Sequence, residues 1–362
     1  MFTHPLIDAV SIDELAIPAT LDSPDGRSFI EMVDLRNRVE EETLGTDDLT
    51  RTPKEYFPGW HDRFAPKRLF LARLDGRIVG YGVYEWQPEE GATAAFLEIE
   101  VDRDFRRRGI GTALLRVLEA LADGNGLRVL QPFSMHRPSE SNDVVVPPTG
   151  FGAVDRDSTA ARFAEVNGYR LEQVARVSRI DLPVDPEVIA DNRRVAESHA
   201  TGYRVVQWVG RCPEQWLADI ARLHQRMSTD APAAGLEFAE EQWDEARVAN
   251  LDDRNEAGGR TNLTSAALDI ASGRLVGYTD IAIPEAEGKT AIQEDTLVLR
   301  EHRGHRLGML LKLANLEQLM RVSPGTPAII TFNAEENRPM LSVNEAVGFI
   351  PVAYEASWKK VV

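Results

Sequence analysis

Val101-Asp-Arg-Asp-Phe-Arg-Arg-Arg-Gly109-Ile-Gly111-Thr-Ala-Leu-Leu115 is the stretch that decides the fold, and a related stretch follows 197 positions later, Val298-Leu-Arg-Glu-His-Arg-Gly-His-Arg-Leu-Gly308-Met-Leu-Leu-Lys312. In both, an apolar strand ends in Val, a basic turn follows, and an apolar helix begins at once. The free N–H groups of a first helical turn and the helix dipole favour an anion such as a pyrophosphate. Two copies of this arrangement predict a duplicated domain.

Length and composition agree with two soluble domains. The chain has 362 residues, of which 43% are hydrophobic, which is enough for two cores. It has no apolar run long enough to span a membrane, and its first residues do not read as a secretory leader. A single cysteine, Cys212, cannot form an internal disulfide, so a cytoplasmic location is expected.

The formal net charge of −17 disfavours nucleic acid as a partner, because that affinity depends on cationic neutralisation of phosphates. An acidic surface either keeps the chain in solution or attracts an amine substrate, and both interpretations are kept. Seven histidines without HxxxH spacing or paired cysteines predict no metal site.

The order of predicted elements is repeated in the two halves of the chain. Each half contains a β-hairpin, around Asp75-Gly76 and around Ser272-Gly273, then the strand, basic turn and helix. A further strand, a short helix stopped by Gly168 or Gly348, and a last strand complete each half. This is an α/β pattern written twice.

Domain bounds follow from the composition. Residues 1–185 are predicted as the N-terminal domain, residues 186–202 as a polar, proline-preceded linker, and residues 203–362 as the C-terminal domain. Residues 136–157 are predicted as a long loop.

These stretches resemble the signature of the GNAT superfamily of N-acetyltransferases, in which Arg or Gln, two residues, Gly, one residue, and Gly or Ala open a helix after a strand. Arg106-x-x-Gly109-x-Gly111 matches in full, and Arg303-x-x-Arg306-x-Gly308 matches with the first glycine replaced. The resemblance extends over about residues 20–182 and 203–360. The tandem arrangement also resembles the mycothiol synthases, a family of actinobacterial two-domain GNAT enzymes.

The resemblance implies two tandem domains, each a strongly twisted mixed sheet with helices on both faces and a splayed, V-shaped slot for acetyl-CoA. It implies that the turn amides hold the pyrophosphate and that the strands ending in Val pair with the pantetheine arm. The implied cofactor-binding residues are Val101, Arg106, Arg107, Arg108, Gly109, Ile110, Gly111 and Thr112 in the first half, and Val298, Arg303, Gly304, His305, Arg306, Leu307, Gly308, Met309 and Asn337 in the second.

Family members often carry a catalytic carboxylate six residues before the final Val of that strand. The position is Ala95 in the first half, where Glu98 and Glu100 are expected on the opposite face. In the second half it is Ile292, and strict alternation puts Glu294 and Thr296 on its face. Glu294 is therefore the candidate base, and a bulge in this strand would transfer the role to Gln293 or Asp295.

The family's general acid is commonly a Tyr four residues before the closing Gly. That position is Ala164 in the first half and Asn344 in the second, so neither half has a phenol there. Asn333, Asn337 and Asn344 are candidates for contacts with the cofactor or acceptor, or are helix caps and turn residues.

The sequence therefore predicts an acetyl-CoA-dependent N-acetyltransferase acting on the amine of a small molecule, as a monomer or homodimer. The first half has the better phosphate turn and no visible acid or base, so the C-terminal half is expected to carry the chemistry, as it does in the mycothiol synthases. A non-enzymatic acyl-CoA sensor and mycothiol synthesis itself are the alternatives.

Overall fold

The computed structural model describes residues 9–362; residues 1–8, on which the absence of a leader was predicted, lie outside it. The chain divides into two compact units. Unit 1 comprises the described residues up to Ala175, with residues 233–239 and 353–362. Unit 2 comprises residues 176–232 and 240–352.

Unit 1 contains most of the first half of the chain. Its elements are β1 (Val10–Leu15), α1 (Pro24–Leu44), α2 (Pro53–Tyr56), β2 (Lys67–Leu74), β3 (Arg77–Trp86), β4 (Ala94–Val101), α3 (Ile110–Gly124), β5 (Val129–His136), β6 (Val144–Val145), β7 (Val154–Asp155), α4 (Thr159–Val166) and the first part of β8 (Arg170–Asp181).

The sheet of unit 1 is mixed. Strands β1 to β4 pair antiparallel in sequence order, and β4 pairs parallel with β5 only from Ala94↔Val129 to Leu97↔Pro132. Beyond that pair β4 continues to Val101 and β5 to His136 without pairing to each other. The two strands therefore separate into a wedge-shaped slot whose open end faces the basic turn.

Helices cover both faces of this sheet. On one face α1 packs through Phe29 and Met32 against Tyr81 and Val83 of β3. On the other face α3 packs through Leu114 and Leu118 against a separate cluster that includes Ala95 and Leu97 of β4. Because alternate β4 residues face opposite sides, Glu98 and Glu100 lie on the α1 face.

Unit 2 repeats the arrangement. Its elements are α5 (Pro186–His199), β9 (Tyr203–Val209), α6 (Leu217–Asp230), α7 (Glu245–Ala257), β10 (Thr261–Asp269), β11 (Arg274–Ile283), β12 (Ala291–Val298), α8 (Leu307–Val322), β13 (Ala328–Ala334), α9 (Arg338–Val347) and the start of β14 (Ile350–Val361). Strands β9 to β12 pair antiparallel, and β12 pairs parallel with β13 only over Ala291–Gln293 and Ile329–Thr331. A second wedge-shaped slot opens beyond this pairing.

The mixed sheets, flanking helices and slots confirm the predicted fold class. Strand β1 was not predicted, and the predicted loop 136–157 contains the short antiparallel pair β6–β7.

The predicted linker is wrong in its local structure, because residues 186–199 form α5. Asp185 caps this helix by accepting from the N–H of Glu187, and Pro186 occupies its first turn. Its buried side chains are Ile189 and Ala196, seven residues apart on one face. So narrow an apolar stripe is easily overlooked in a polar segment.

The unit boundaries also differ from the predicted domain bounds. The first boundary falls inside β8, between Ala175 and Arg176. Residues 353–361 of β14 pair antiparallel with β5, so the last strand of the chain completes the sheet of unit 1. Within that strand the buried Trp358 donates from Nε1 to the hydroxyl of Ser134 at 2.9 Å.

Candidate active sites of the two units

The basic turns of the two units have the same backbone geometry. Arg107 and Gly109 adopt left-handed φ angles of 63° and 91°, and Gly304 and Arg306 adopt 86° and 53°. In each turn the second of these residues is the N-cap of the following helix, and no side chain caps that helix. The first N–H groups of α3 and α8 are thus left open to an anion, as the motif predicts.

The first arginine of each motif fixes the turn. Arg106 donates from Nε to the carbonyl of Val101 at 2.8 Å, and Arg303 donates to the carbonyl of Val298 at 2.9 Å. The guanidinium of Arg106 also pairs with Glu42 at the end of α1. That of Arg303 pairs with Asp230 at the end of α6. These side chains hold the strand end and turn together rather than facing outward.

The other basic side chains of the turns have different surroundings. Arg108 lies 5.3 Å from the ring centroid of Phe105. His305 lies with Nδ1 3.2 Å from the carbonyl of His199 at the end of α5. Within residues 9–362, Arg107 and Arg306 have no ion pair or hydrogen bond from their side chains, which leaves them available to a phosphate.

Strand β12 carries a bulge at residues 294 and 295. Thr296 pairs with Thr279, but Gln293 pairs with Ile281, so three residue steps along β12 correspond to two along β11. Alternation is broken, and Thr296 points to the α8 side, where its hydroxyl lies 2.7 Å from that of Thr279. The expectation that Thr296 shares the face of Ile292 is therefore wrong.

The bulge separates Glu294 from Asp295. Glu294 is exposed and accepts from Arg260 at 2.7 Å. Asp295 accepts at Oδ2 from the hydroxyl of Tyr278 at 2.8 Å, and the same oxygen lies 3.6 Å from Nδ1 of His224 on α6. About a third (34%) of the Asp295 side chain is exposed, so it can be reached from solvent.

A second aspartate lies beside Asp295. The carboxylate of Asp280 is buried and accepts from the N–H of Asp295 at 3.2 Å. Burial, followed by the charges of Asp295 and Glu294, raises the pKa of Asp280 well above its ordinary value. Burial opposes ionisation of Asp295 too, but the nearby imidazole of His224, followed by the hydrogen bond from Tyr278, outweighs it and lowers the pKa of Asp295. The pair therefore carries one negative charge, on Asp295.

His224 is held in a stack of rings. Its imidazole stacks on Trp243 with centroids 4.3 Å apart and planes at 15°. Its Nδ1 lies 3.0 Å from the hydroxyl of Tyr278. Because that hydroxyl donates to Asp295, it accepts from His224, which assigns the proton to Nδ1 and leaves Nε2 as an acceptor when the ring is neutral.

The side chain of Gln293 fills the space that the bulge opens. Gln293 is buried, and its amide nitrogen donates to the hydroxyl of Thr279 at 2.9 Å and to the carbonyl of Asp280 at 2.6 Å. Its backbone carbonyl accepts from Thr331 of β13. Gln293 thereby fixes the backbone that presents both aspartates.

Asparagines lie on the other side of the slot in unit 2. Asn344 of α9 is buried and donates to Oδ1 of Asn333, at the end of β13, at 2.6 Å. The buried Oδ1 of Asn344 has no hydrogen-bond partner in the described chain. Asn337 is the N-cap of α9, but its side chain makes no capping bond. The structure thus brings Asn333 and Asn344 together.

Unit 1 contains a tyrosine–carboxylate pair at the equivalent positions. The hydroxyl of Tyr81 donates to Oε1 of Glu98 at 2.5 Å. Each of these residues lies 197 positions before its counterpart in unit 2, Tyr278 or Asp295. The first half, expected to have no visible acid or base, thus holds a hydroxyl–carboxylate pair on the face that α1 covers.

The surroundings of Glu98 are strongly acidic. Glu100 lies on the same face, and removal from solvent, followed by the charges of Glu98 and Glu40, raises its pKa to about 8. Glu355 of β14 has a pKa raised to about 7, by burial and then by Glu40. Burial also raises the pKa of Tyr81 well above its usual range. Several groups on this face stay protonated near neutral pH.

Sequence reasoning missed Tyr81–Glu98 and Tyr278–His224, although a usable signal was present. Aligning the halves at the spacing of Val101 and Val298 superimposes Tyr on Tyr and Glu98 on Asp295. His224 has no such counterpart, and only the packing of α6 on β11 brings it to Tyr278.

Among residues 9–362, no helix is long and apolar enough to cross a membrane. In the same range, no cluster of His, Cys, Asp and Glu has the arrangement needed to hold a metal ion.

A protein-family model matches most of the first unit. Residues 30–134 match the model of the acetyltransferase (GNAT) family. The matched range runs from α1 through β5 and so contains the first basic turn, the slot and the Tyr81–Glu98 pair.

Three similar proteins align with 81% or more of the chain. A mycothiol acetyltransferase of Geodermatophilus obscurus is 27% identical over 298 residues, 81% of this chain and 82% of that one. The solved structure of a tandem GNAT protein from the clavulanic acid biosynthesis pathway is 25% identical with a TM-score of 0.72, covering 97% of this chain and 98% of that one. A GCN5-related N-acetyltransferase from Sphaerobacter thermophilus shares the fold at 15% identity, with a TM-score of 0.62 and coverage of 98% and 96%.

Proposed function

We propose that this chain, an N-acetyltransferase of tandem GNAT architecture, moves an acetyl group from acetyl-CoA to the amine of a small molecule and carries out this chemistry in unit 2. The observation that carries the proposal is the bulge in β12. It holds a partly exposed Asp295 against Tyr278 and His224, on the face of β12 that the proposal assigns to the acceptor amine.

The backbone of both units fits an acyl-CoA. The left-handed residues of each turn direct the uncapped N–H groups of α3 and α8 toward a pyrophosphate. The unpaired edges of β4 and β12 beyond Leu97 and Gln293 offer backbone groups to the pantetheine amides. Acetyl-CoA supplies an activated acyl group, and the remaining chemistry concerns the protons of the amine and the thiol.

Asp295 and His224 are assigned to the amine. An ammonium ion must lose a proton before it attacks a thioester, and a carboxylate can first bind its charge. Asp295 carries the negative charge that binds the ammonium ion. The hydroxyl of Tyr278 links this carboxylate to Nδ1 of His224, so that Nε2 of His224 accepts the proton of the amine. Glu294 lies on the edge beside Arg260 and is not given this role.

The polar pair Asn333–Asn344 is assigned to the thioester side of the slot. The amide of Asn344 can donate hydrogen bonds but cannot give up a proton near neutral pH. Its role is then to orient the thioester or the departing sulfur, and its unpaired Oδ1 is free to accept from a ligand amide. In unit 1 the matching positions, Phe133 and Ala164, offer no such polar group.

The test compares matched substitutions in the two units. Thiol release from acetyl-CoA is measured with a panel of primary amines that includes aminosugars, first with the unaltered chain and then with Asp295→Asn and Glu98→Gln. Asp295→Asn is expected to lower kcat at least about 10²-fold, because the charge that organises His224 is lost. Glu98→Gln is expected to change kcat less than about threefold, since the proposal gives unit 1 no acid–base step.

The reverse ranking would transfer the chemistry to unit 1. Equal and small effects of the two substitutions would remove acid–base roles from both pairs. If no amine in a broad panel released thiol while CoA bound tightly, the proposed turnover would be abandoned in favour of acyl-CoA sensing.

Mycothiol synthesis is a second candidate function, favoured by the Geodermatophilus obscurus relative that aligns with both halves. The acceptor would then be the amine of the desacetyl thiol-sugar precursor. Incubation of this precursor with acetyl-CoA and the chain should yield the acetylated product by mass spectrometry. Turnover with simple aminosugars but not with the precursor would exclude this candidate.

A further inference from the structure

Residues 235–239 form an extended segment that lies across β4 and β5 of unit 1. The side-chain amide of Gln131 accepts from the N–H of Glu237 at 2.6 Å and donates to its carbonyl at 3.0 Å. Gln87, just after β3, does the same with Ala239, at 2.8 Å and 3.2 Å. Two glutamines therefore bind both polar groups of alternate backbone residues.

The two side-chain amides imitate the hydrogen bonds that a neighbouring strand would make to an extended peptide. In an extended peptide, the N–H and C=O groups of residues i and i+2 point to the same side. Main-chain hydrogen bonds of this kind bind a peptide whatever its side chains, and pockets for particular side chains add specificity. Gln131 is 4% exposed, so its two bonds are made away from water.

Three contacts select the side chains of the segment. The carboxylate of Glu237 accepts from Thr93 at 2.7 Å and from Lys359 at 2.8 Å, and these hydrogen bonds, that of Lys359 first, lower its pKa. Phe238 stacks on Phe96, with ring centroids 5.4 Å apart and planes at 20°.

The third contact favours a residue without a side chain at position 235. A Cβ built on Gly235 would lie 2.1 Å from Oε2 of Glu172, so any other residue would displace the end of this flexible side chain, which glycine leaves in place. The carbonyl of Gly235 also accepts from Lys359 at 2.8 Å. The groove therefore fits glycine, any residue, an acid and an aromatic residue in succession.

The groove lies beside the slot of unit 1. Phe96 and Gln131 are opposite one another in the β4–β5 pairing, and Leu97↔Pro132 is the last pair before the strands separate. Glu98 follows Phe96 on the same face at the next alternate position. The segment thus lies next to the Tyr81–Glu98 pair, at the closed end of the slot.

We propose that unit 1 carries a binding groove for an extended peptide of the pattern Gly-x-Glu-Phe and that residues 235–239 occupy this groove in cis. The groove is built from Gln87, Thr93, Phe96, Gln131, Glu172 and Lys359. It makes no use of acetyl transfer, so it stands or falls separately from the function proposed for unit 2. A second peptide of this pattern binds only when the chain's own segment is displaced.

The first experiment supplies the segment in trans. The host is the full chain with residues 234–239 replaced by glycine and serine, and the probe is a fluorescent peptide of residues 232–240, Pro-Ala-Ala-Gly-Leu-Glu-Phe-Ala-Glu. Fluorescence anisotropy is expected to give a Kd on the order of micromolar with this host and binding at least about tenfold weaker with the unaltered chain. A probe carrying Glu237→Lys and Phe238→Ala, or a host that also carries Gln131→Ala, is expected to bind at least about tenfold weaker.

A second host guards against misfolding of the first. The full chain with Glu237→Lys and Phe238→Ala loses the contacts of the segment with Lys359 and Phe96, so it should also expose the groove to the unaltered probe. Circular dichroism and thermal unfolding identify which host is folded. A folded host that does not bind the probe at about 1 mM overturns the proposal.

Amide hydrogen exchange tests the groove in the unaltered chain. The N–H groups of Glu237 and Ala239 should exchange at least about tenfold more slowly than that of Phe238, for which the described chain offers no acceptor. Gln131→Ala should remove the protection of Glu237. Equal exchange at the three residues would also overturn the proposal.

Discussion

The two units keep one pair of side chains and differ in almost everything around it. Tyr81 bonds to Glu98 in unit 1, and Tyr278 bonds to Asp295 at the equivalent positions of unit 2. In unit 2 the pair faces His224, whereas in unit 1 it lies among further acidic groups, one of which has a pKa of about 8. A hydroxyl–carboxylate pair is thus common to both units, while its electrostatic surroundings differ.

The two units also differ in the residues of their basic turns and in the polarity of their slots. Unit 1 has glycine at the left-handed N-cap of its turn, Gly109, where unit 2 has Arg306. Unit 2 has the hydrogen-bonded pair Asn333–Asn344, where unit 1 has Phe133 and Ala164. Each turn holds one arginine at a left-handed φ, Arg107 in unit 1 and Arg306 in unit 2, so the units differ in which turn position is glycine and in the polarity of the slot.

The largest expected effect concerns the bulge, which unit 1 lacks. Gln293→Leu removes the hydrogen bonds to Thr279 and Asp280 that hold the bulge, so Asp295 should shift and kcat should fall about 10²-fold. Steady-state kinetics and thermal unfolding are measured together. Gln207→Leu is the control, because Gln207 is also hydrogen-bonded within unit 2 but to groups on β10 and α8. Equal kinetic losses in the two variants would show that general destabilisation, rather than the bulge, controls activity.

The next largest effect is that a rising pH changes the folding stability of the two units in opposite directions. The pKa of Glu100 is about 8 in the folded chain and ordinarily 4.5. The contribution of protonated Glu100 to the free energy of unfolding is therefore lost as the pH rises through 8. Burial lowers the pKa of Lys312 to about 7 from 10.5, so the stability of its neutral form is lost as the pH falls through 7.

Urea unfolding across pH checks these signs. The stabilising effect of Glu100→Gln should grow from pH 6.5 to pH 8, by at most about 1.4 kcal/mol per pH unit. The stabilising effect of Lys312→Leu, which restores the residue found at Leu115, should shrink from pH 7 to pH 10. The window above pH 6.5 avoids the buried His136, whose pKa is lowered to about 4 by burial. Parallel trends in the two variants would contradict the assignment.

A smaller effect is expected from exchanging the N-cap residues of the turns. Arg306 holds a left-handed φ of 53°, which costs a non-glycine residue about 1 kcal/mol. Arg306→Gly should therefore raise the free energy of unfolding by up to about 1 kcal/mol, and Gly109→Arg should lower it by a similar amount. Calorimetric titration with CoA on the same variants shows whether the Arg306 side chain contributes to binding. Destabilisation by Arg306→Gly would mean that this side chain has a stabilising contact.

The smallest effect is expected for Glu294→Gln. Glu294 lies at the strand edge beside Arg260, so kcat should change less than about threefold. Lys289→Gln, a charge change on the loop before β12, serves as the control for a general electrostatic effect. A loss of about 10²-fold for Glu294→Gln alone would return the role of base to this residue.

The repeated strand, turn and helix could be predicted from the sequence because their determinants are local. Val101 and Val298 end apolar runs, and the turns and helices follow within a few residues. The bulge depends instead on where the side chain of Gln293 finds acceptors on β11, which no alternation pattern encodes. Sequence reasoning could only leave Asp295 open as an alternative.

Pairing between distant parts of the chain could not be predicted from the sequence for the same reason. Residues 353–361 pair with β5, more than 200 positions earlier, and residues 235–239 bind to Gln87 and Gln131. By their position in the sequence, both segments belong to the second half of the chain. Their partners are set by hydrogen-bonding groups on unit 1, and these carry no mark in the nearby sequence.

The late strand that closes the sheet of unit 1 has a consequence for biosynthesis. Until translation passes residue 361 and those residues leave the ribosomal tunnel, β5 has an unpaired edge and Ser134 lacks its bond from Trp358. The part made first is therefore finished last, and its exposed strand must be kept from other nascent chains throughout elongation.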